Sequence, residues 1–521
     1  MDERSGRRLA WSTAIFSLAT GLSRIFGLLR ESVASYYFGV AGRINAFTIA
    51  FQIPNLVRSL LADAALSSAF VPVFSELLER GDRKRAWRVA SSIFWLTLLV
   101  LTGLTALFVL VAPWILRPFH PVDLPLTVAL ARILFPTVAL LALTGIVVGI
   151  LNSYEHFSVP AFSPVFWNLA IILGLVLGVP RVHGENAKLY VYAGAVLAGT
   201  VIQLLLPLPW LRGRDDRLRV VIDWRDPAVK RVFVLMLPVT LGLGLINFNA
   251  TVDTFFASRY IDSNLAPRAI ETAFRLYMLP QGMFSVAIAT VLFPSLARLA
   301  ARDDIAGFRH TVGLGLRQIA FLLVPASIVS AVLAEPITRL VYQRGRFDPA
   351  QTRVVAAALA AFSLGLTFNG TMLMLNRSFF SLQSNWIPTL VALGNLFVNA
   401  VLDALFYRLG TWGIPLSTSI VNIAGTALLL VLLRRRLGRI ELGETTSATG
   451  RIVAAALPLA AVSFAVWYGL DRALGRSFGG QVVSLATALA AGAAVYLFSC
   501  RLLRVRESEA LLSLRARLRR R

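Results

Sequence analysis

The sequence predicts an all-α polytopic membrane protein with about 14 transmembrane helices, and three observations carry that expectation. Hydrophobic residues make up 57% of the 521-residue chain and charged residues only 15%, where soluble domains carry roughly 25% charged. Apolar runs long enough to cross a bilayer, about 20 residues each, recur from end to end and give a mean hydropathy of +0.71. The loops between them alternate between strongly basic and mixed in sign.

Taken in order, the runs lie at 9–38, 44–74, 87–112, 126–151, 161–180, 190–211, 232–258, 268–297, 309–342, 351–376, 386–407, 411–433, 451–470 and 480–503. The first follows "MDERSGRRLAWS", which lacks a short apolar core ending in small residues, so it reads as a retained helix and not a removed signal peptide. Several runs exceed the minimum and contain Gly or Pro, so kinks and tilts are expected. Basic loops follow the even-numbered runs: "ERGDRKRAWR" (79–88), "RGRDDRLRV" (212–220), "WRDPAVKR" (224–231) and "RRRLGR" (434–439). Loops after odd-numbered runs mix signs, as in "RPFHPVDLP" (117–125), "RVHGENAK" (181–188) and "RYIDSNLAPR" (259–268). The positive-inside rule then places both termini in the cytoplasm, and an even number of spans agrees with that. The tail from Arg501 reads equally as a basic interfacial helix or as a solvated charged segment.

Several function classes drop out. Net charge is +24, which loop bias explains without a nucleic-acid partner. The single Cys500 excludes an internal disulfide, and four histidines without HxxxH or CxxC spacing argue against a metal centre built from them. No nucleophile–base arrangement or P-loop motif is present, so no enzyme is expected.

Two pairs of stretches repeat. "LNSYEHFSVPAFSPVFWNLAIILG" (151–174) matches "LNRSFFSLQSNWIPTLVALGNLFV" (375–398) at an offset of 224, and "SSAFVPVFSELLERGD" (67–82) matches "ATVLFPSLARLAARDD" (289–304) at 222. The offset spans six helices, an even number, so the copies share topology as in parallel-repeat transporters. The expected organisation is a lobe of spans 1–6 (1–220), a lobe of spans 7–12 (221–440), and spans 13 and 14 with a basic tail (441–521).

Charges inside the runs supply the site. Arg24 and Arg30 lie in the first, Arg58 in the second and Arg275 in the eighth. Each central arginine costs about 2.5–3.5 kcal/mol on insertion scales, so they face protein or a watery cavity between the lobes. Arg24 and Arg30 project about 120° apart on an ideal helix, so a shared cavity needs a broad surface or a distortion at Gly21 or Gly27. Pairing with Glu31 and Asp63 as interhelical glue is the competing reading. Guanidinium groups in excess of carboxylates suit bidentate recognition of phosphate, and the anion expected is a phosphate or pyrophosphate on a lipid. A second constellation joins Asn399 and Asp403, one helical turn apart, with Asp253 in span 7 and Ser417, Thr418 and Ser419 in span 12. Such oxygens suit Na⁺, a carboxylate alone suits H⁺, and a polar interhelical cluster is the alternative.

The stretches "GLSRIFGLLRESVASYYFG" (21–39), "NAFTIAFQIPNLVRSLLADAALSSAFVPVFSELLERGD" (45–82), "ILNSYEHFSVPAFSPVFWN" (150–168) and "LVYQRGRFDPAQT" (340–352) together resemble the MurJ/MviN family, the lipid II flippases of the MOP transporter superfamily. The resemblance runs over nearly the whole chain. It implies a fourteen-helix fold of two six-helix lobes plus two helices that form a groove for the lipid tail. The substrate it implies is lipid II, the undecaprenyl-pyrophosphate-linked disaccharide-pentapeptide, moved across the bacterial inner membrane by alternating access. Membrane lipids and cell-wall synthesis proteins are the other partners it suggests. It assigns substrate binding to Arg24, Arg30, Arg58 and Arg275. It puts a sodium site on Asp253, Asn399, Asp403 and Thr418, so Na⁺ or H⁺ is the coupling ion and no other cofactor is expected. The chain departs from the family pattern at Asn45, where many members carry Asp, at Asp63-Ala64 in place of Glu-Gly, and at Phe274 and Met278, where some carry acids. Those changes predict fewer carboxylates around the arginines. A flippase for another polyprenyl-linked glycan, a multidrug–cation antiporter of the same superfamily, and a non-transporting scaffold are the rival functions.

Overall fold

Helices follow the apolar runs. The computed structural model describes residues 3–61, 64–154, 156, 158–438 and 442–508. In chain order its α-helices are α1 (Glu3–Phe38), α2 (Ile44–Leu61), α3 (Ala64–Glu79), α4 (Arg83–Leu116), α5 (Leu124–Leu134), α6 (Pro136–Ser153), α7 (Ser158–Gly178), α8 (Glu185–Leu205) and α9 (Pro227–Phe256). They continue as α10 (Ala266–Ala301), α11 (Ile305–Val332), α12 (Ala334–Tyr342), α13 (Pro349–Ser381), α14 (Trp386–Phe406), α15 (Gly413–Leu437), α16 (Leu442–Leu474) and α17 (Phe478–Leu502). Among the described residues there is no strand, and eleven helical segments are long and apolar enough to cross a membrane. The chain is a multi-pass membrane protein. Predicted spans 9–38, 44–74 and 232–258, which carry Arg24, Arg30, Arg58 and Asp253, fold as α1, α2 with α3, and α9.

Proline explains two interruptions that the apolar pattern hides. Predicted span 126–151 is divided into α5 and α6 at Pro136, and span 309–342 into α11 and α12 just before Pro336. Neither proline has the N–H that would close an i→i−4 bond, to Arg132 and Val332 respectively. Aspartates set several starts: Asp123, Asp304 and Asp348 accept from the third backbone N–H beyond them at 2.8–2.9 Å, satisfying donors that a helix N-terminus leaves open. Of the predicted tail, residues 509–521 lie outside the described residues.

Two compact units emerge, Met1–Arg268 and Ala269–Arg521. In the first, α1 packs on α7, α7 on α8, and α9 on both α2 and α3. Aromatic residues fill its cores: Phe70, Phe74 and Trp87 in one, and Phe47, Phe108, Phe135 and Tyr192 in another, with the Phe108 and Phe135 rings stacked at 4.0 Å. In the second unit, α13 lies against α11 and α15, and α16 packs on α17 and α11. Arg317 on α11 pairs with Glu507 at 3.1 Å, both about 8% exposed, and the Tyr496 hydroxyl on α17 donates to the Phe321 carbonyl at 2.7 Å. Arg339 pairs with Asp471 on α16 and lies over the Trp467 ring.

The α13–α15 contact depends on a missing side chain. A Cβ at Gly365 would stand 2.7 Å from the Ser419 Cα, and Ser419 already donates its hydroxyl to the Ala361 carbonyl at 2.6 Å. Small residues permit such backbone approach in membranes. Gly365→Ala is therefore expected to cost about 1–3 kcal/mol through overpacking, read as a lower thermal unfolding midpoint in detergent. An unchanged midpoint would refute the contact's importance.

Candidate functional site

The sequence places Arg24, Arg30 and Glu31 on one helix, and α1 runs unbroken through all three. Of the two alternatives, a broad surface or a distortion at Gly21 or Gly27, the helix shows no break at either glycine. Gly27 lies opposite the side chain of Asn168 on α7, whose amide would stand 3.9 Å from a Cβ at this position, an ordinary contact distance. Arg24 is partly buried and makes no ion pair or hydrogen bond with the described residues.

Arg30 sits differently. Its Nη2 donates to Glu31 Oε1 at 2.6 Å, and its guanidinium lies 4.8 Å from the centre of the Trp167 ring. Arg268 Nη2 donates to the other oxygen, Glu31 Oε2, at 2.8 Å. The three side chains are 8%, 3% and 2% exposed. Two guanidiniums therefore share one carboxylate in a site where burying charge is costly. The pairing with Glu31 that competed with the cavity reading thus holds for Arg30. Asp63, its other named partner, lies outside the described residues.

Arg268 was not anticipated, because it falls at the boundary between a loop and an apolar run. Asn45 holds it: Asn45 Oδ1 accepts from the Arg268 backbone N–H at 2.9 Å, while Asn45 Nδ2 donates to the carbonyls of Val40 and Asn264 at 2.9 and 2.7 Å. An amide can do both at once and a carboxylate cannot. That is a physical reason for Asn45 at this position.

A polar seam runs between α2 and α9. Gln52 Nε2 donates to the Ala250 carbonyl at 3.1 Å and also to the Thr254 hydroxyl. Asn55 Nδ2 reaches Asn247 Oδ1 at 3.4 Å, and Arg58 Nη2 donates to Asn55 Oδ1 at 2.8 Å. Gln52, Asn55 and Arg58 recur every three residues, so each neighbours the next on a broad strip of the helix surface. That spacing was the available signal for a polar face around Arg58, and only the arginine was singled out. On the same stretch of α9, Asn249 Nδ2 donates to Asp253 at 3.4 Å.

In the second unit, Arg275 Nη2 pairs with Glu271 Oε1 at 3.0 Å, one turn earlier on α10. Phe274 and Met278, at 37% and 40% exposed, flank it. The shortage of acids inferred from those two positions is thus partly made up by Glu271, which the motif comparison passed over. On α14, Asn399 and Asp403 are both fully buried, and Asn399 Nδ2 donates to Asp403 Oδ2 at 3.1 Å. Thr418, on the neighbouring α15, donates its hydroxyl to the Ile414 carbonyl at 3.3 Å and keeps its oxygen as an acceptor. Among the described residues no three His, Cys, Asp or Glu side chains cluster. The donor chemistry on α14 and α15 is mixed amide, carboxylate and hydroxyl oxygen, which fits a hard cation. Arg24, Arg30, Arg58 and Asp253 belong to the first unit; Arg275, Asn399, Asp403 and Thr418 belong to the second.

The fold defines a class: an integral membrane protein of many helices whose backbone is similar to solved structures of MOP-superfamily proteins. An inward-facing MATE multidrug transporter of that superfamily aligns with a TM-score of 0.66 at 17% identity, over 82% of this chain and 95% of its own. A structure of lipid II flippase MurJ in an inward closed conformation aligns at 0.78 and 24% identity, over 94% and 98%.

Sequence then resolves the family. The family model described as lipid II flippase MurJ matches residues 34–476. The lipid II flippase MurJ of Burkholderia cenocepacia is 32% identical over 431 residues, covering 80% of this chain and 82% of the relative. A Synechocystis relative described as a probable lipid II flippase MurJ is 31% identical over 479 residues, covering 89% and 88%. This chain belongs to the MurJ family.

Proposed function

We propose that this protein moves lipid II from the inner to the outer leaflet of the bacterial inner membrane, and that its arginines hold the pyrophosphate during passage. The observation that carries the reading is the excess of guanidinium over carboxylate inside apolar helices: Arg30 and Arg268 share Glu31, and Arg24 has no acidic partner among the described residues. A cation-exporting pump needs the opposite sign. Arginine forks match phosphate oxygens in pairs, and the family's name supplies the lipid that carries them.

In this reading the chain forms fourteen spans, with lobes at 1–220 and 221–440 and two further helices and a tail at 441–521. Both termini lie in the cytoplasm, on the side of the basic loops. The lobes rock about Arg24, Arg30, Arg58 and Arg275 while the polyprenyl tail stays in lipid. No covalent step is needed, so the protein is a carrier and not an enzyme. Resetting draws on the membrane potential, worth about 2.3 kcal/mol per charge per 100 mV, or on a cation gradient. Asn399, Asp403 and Thr418 would hold Na⁺, and the buried Asp403 carboxylate alone would serve H⁺; Asp253, on α9, is the other candidate carboxylate. Depletion of the protein in growing cells tests the function directly. Lipid II is expected to accumulate in the inner leaflet, and an unchanged distribution between leaflets would overturn the proposal.

A further inference from the structure

A second cationic site, with no place in the transport reading, lies where the segment 212–226 folds back on the start of α4. Ser91 Oγ accepts from the Arg219 backbone N–H at 3.1 Å, and Ser92 Oγ accepts from that of Asp223 at 3.2 Å; both serines are buried. These bonds hold 212–226, which carries no helix beyond residue 212, in a defined path and close a cavity of about 520 Å³.

Charge in that cavity is unbalanced. Lys84, Arg85, Arg88, Arg217 and Arg219 line it, with Asp82, Asp216 and Asp226. The carboxylates are committed. Asp82 caps α4 through the Arg85 N–H, and Asp216 accepts from the Arg217 N–H at 2.9 Å and from the Arg219 guanidinium at 3.1 Å. Asp226 accepts from Ala228 N–H at 2.7 Å and from Arg85 at 3.3 Å. Burial opposes ionisation of Asp226, but these bonds and the nearby Arg88 charge outweigh it and hold its carboxyl below the usual range. Lys84, Arg88 and Arg217 are exposed, and none forms an ion pair with a carboxylate among the described residues.

The surroundings specify the ligand further. A second cavity of about 470 Å³ shares Asp216 and Arg217 and is lined by Leu208, Leu211 and Leu218 together with Arg212, Gly213 and Arg214. Along the same segment, Val220, Ile222 and Trp224 are 75%, 51% and 58% exposed. A charged hollow joined to one that sets leucines among arginines, beside an outward tryptophan where a span begins, matches the headgroup level of a bilayer.

We infer that this double cavity binds the phosphate of an anionic phospholipid headgroup, with Lys84, Arg88 and Arg217 on the phosphate and the leucine-lined hollow on the glycerol and first methylenes. Free phosphate offers the same oxygens but leaves the leucine-lined half unfilled. The inference rests on the membrane reading of the chain and not on the identity of the transported lipid.

The test uses the full-length protein in detergent, titrated with phosphatidylglycerol or phosphatidylcholine and read by native mass spectrometry. Phosphatidylglycerol is expected to be retained about tenfold better than phosphatidylcholine, and the triple variant Lys84→Gln/Arg88→Gln/Arg217→Gln to bring the two near parity. Should the triple variant fold poorly, Arg217→Gln alone should lower the preference about twofold. The control Arg434→Gln/Arg435→Gln, in the basic last turn of α15, should leave it intact. Undiminished preference in the site variants overturns the inference, as does an equal loss in the control. Millimolar inorganic phosphate should not displace the lipid; complete displacement would assign the cavity to a soluble anion and overturn the lipid assignment. Lipid II distribution in cells reports separately on transport, so the failure of one reading is distinguishable from the failure of the other.

Discussion

Glu31→Gln is expected to destabilise the first unit by about 3–5 kcal/mol, the range seen when one partner of a buried ion pair is removed. The carboxylate lies between Arg30 at 2.6 Å and Arg268 at 2.8 Å, and all three side chains are at most 8% exposed. Glutamine keeps the shape and one acceptor but removes the charge that both guanidiniums share. The expected readout is a lower thermal unfolding midpoint in detergent with reduced yield of monodisperse protein. Arg268→Gln alone should cost less, because Arg30 then keeps Glu31 to itself. The double variant Glu31→Gln/Arg268→Gln should recover much of the loss, since one buried charge leaves with the other and Arg30 keeps its place on Trp167. Equal midpoints for Glu31→Gln and the unmodified protein would show that the shared carboxylate does not matter to folding.

Charge reversal at Arg24 or Arg58 is expected to remove lipid II export without comparable loss of fold. Arg24 has no ion pair among the described residues, and Arg58 donates to Asn55 Oδ1 at 2.8 Å. A hydrogen bond to a charged group is worth about 1.5–3 kcal/mol, or about 10- to 150-fold in affinity, and a glutamate adds repulsion. Arg24→Glu and Arg58→Glu should each fail to support growth when the native copy is depleted, with protein levels near normal and lipid II held in the inner leaflet. Lysine at either position should retain part of the activity, because it keeps the charge but loses the planar fork. Wild-type export by both reversal variants would defeat the arginine mechanism.

Which of these residues were legible beforehand follows from the range of each interaction. Arg24, Arg30 and Arg58 stand out because charge within an apolar run is conspicuous wherever the run folds. Asn399 and Asp403 stand out because a four-residue spacing on a helix is local geometry, and their hydrogen bond at 3.1 Å matches it. Arg268 and Asn45 could not be read the same way. They lie 223 residues apart, each at the edge of a helix, and nothing local marks them as partners. Arg275 differs again: positions 274 and 278 lack the acids that some family members carry, and its carboxylate comes from Glu271 one turn away.

Composition and periodicity by themselves determined that this chain is helical and spans a membrane many times, because a bilayer requires every backbone polar group to be bonded within its own segment. They also determined that cations lie inside those segments, and quoted motifs were enough to point to the family. Tertiary structure alone decided which cations are neutralised, since a side chain's partner depends on which helices meet. It set Arg30 beside Trp167 and Glu31, tied Arg268 to Asn45, and folded the 212–226 segment over Ser91 and Ser92 into a charged hollow. Sequence spacing can announce a charge; only long-range packing assigns its counterpart.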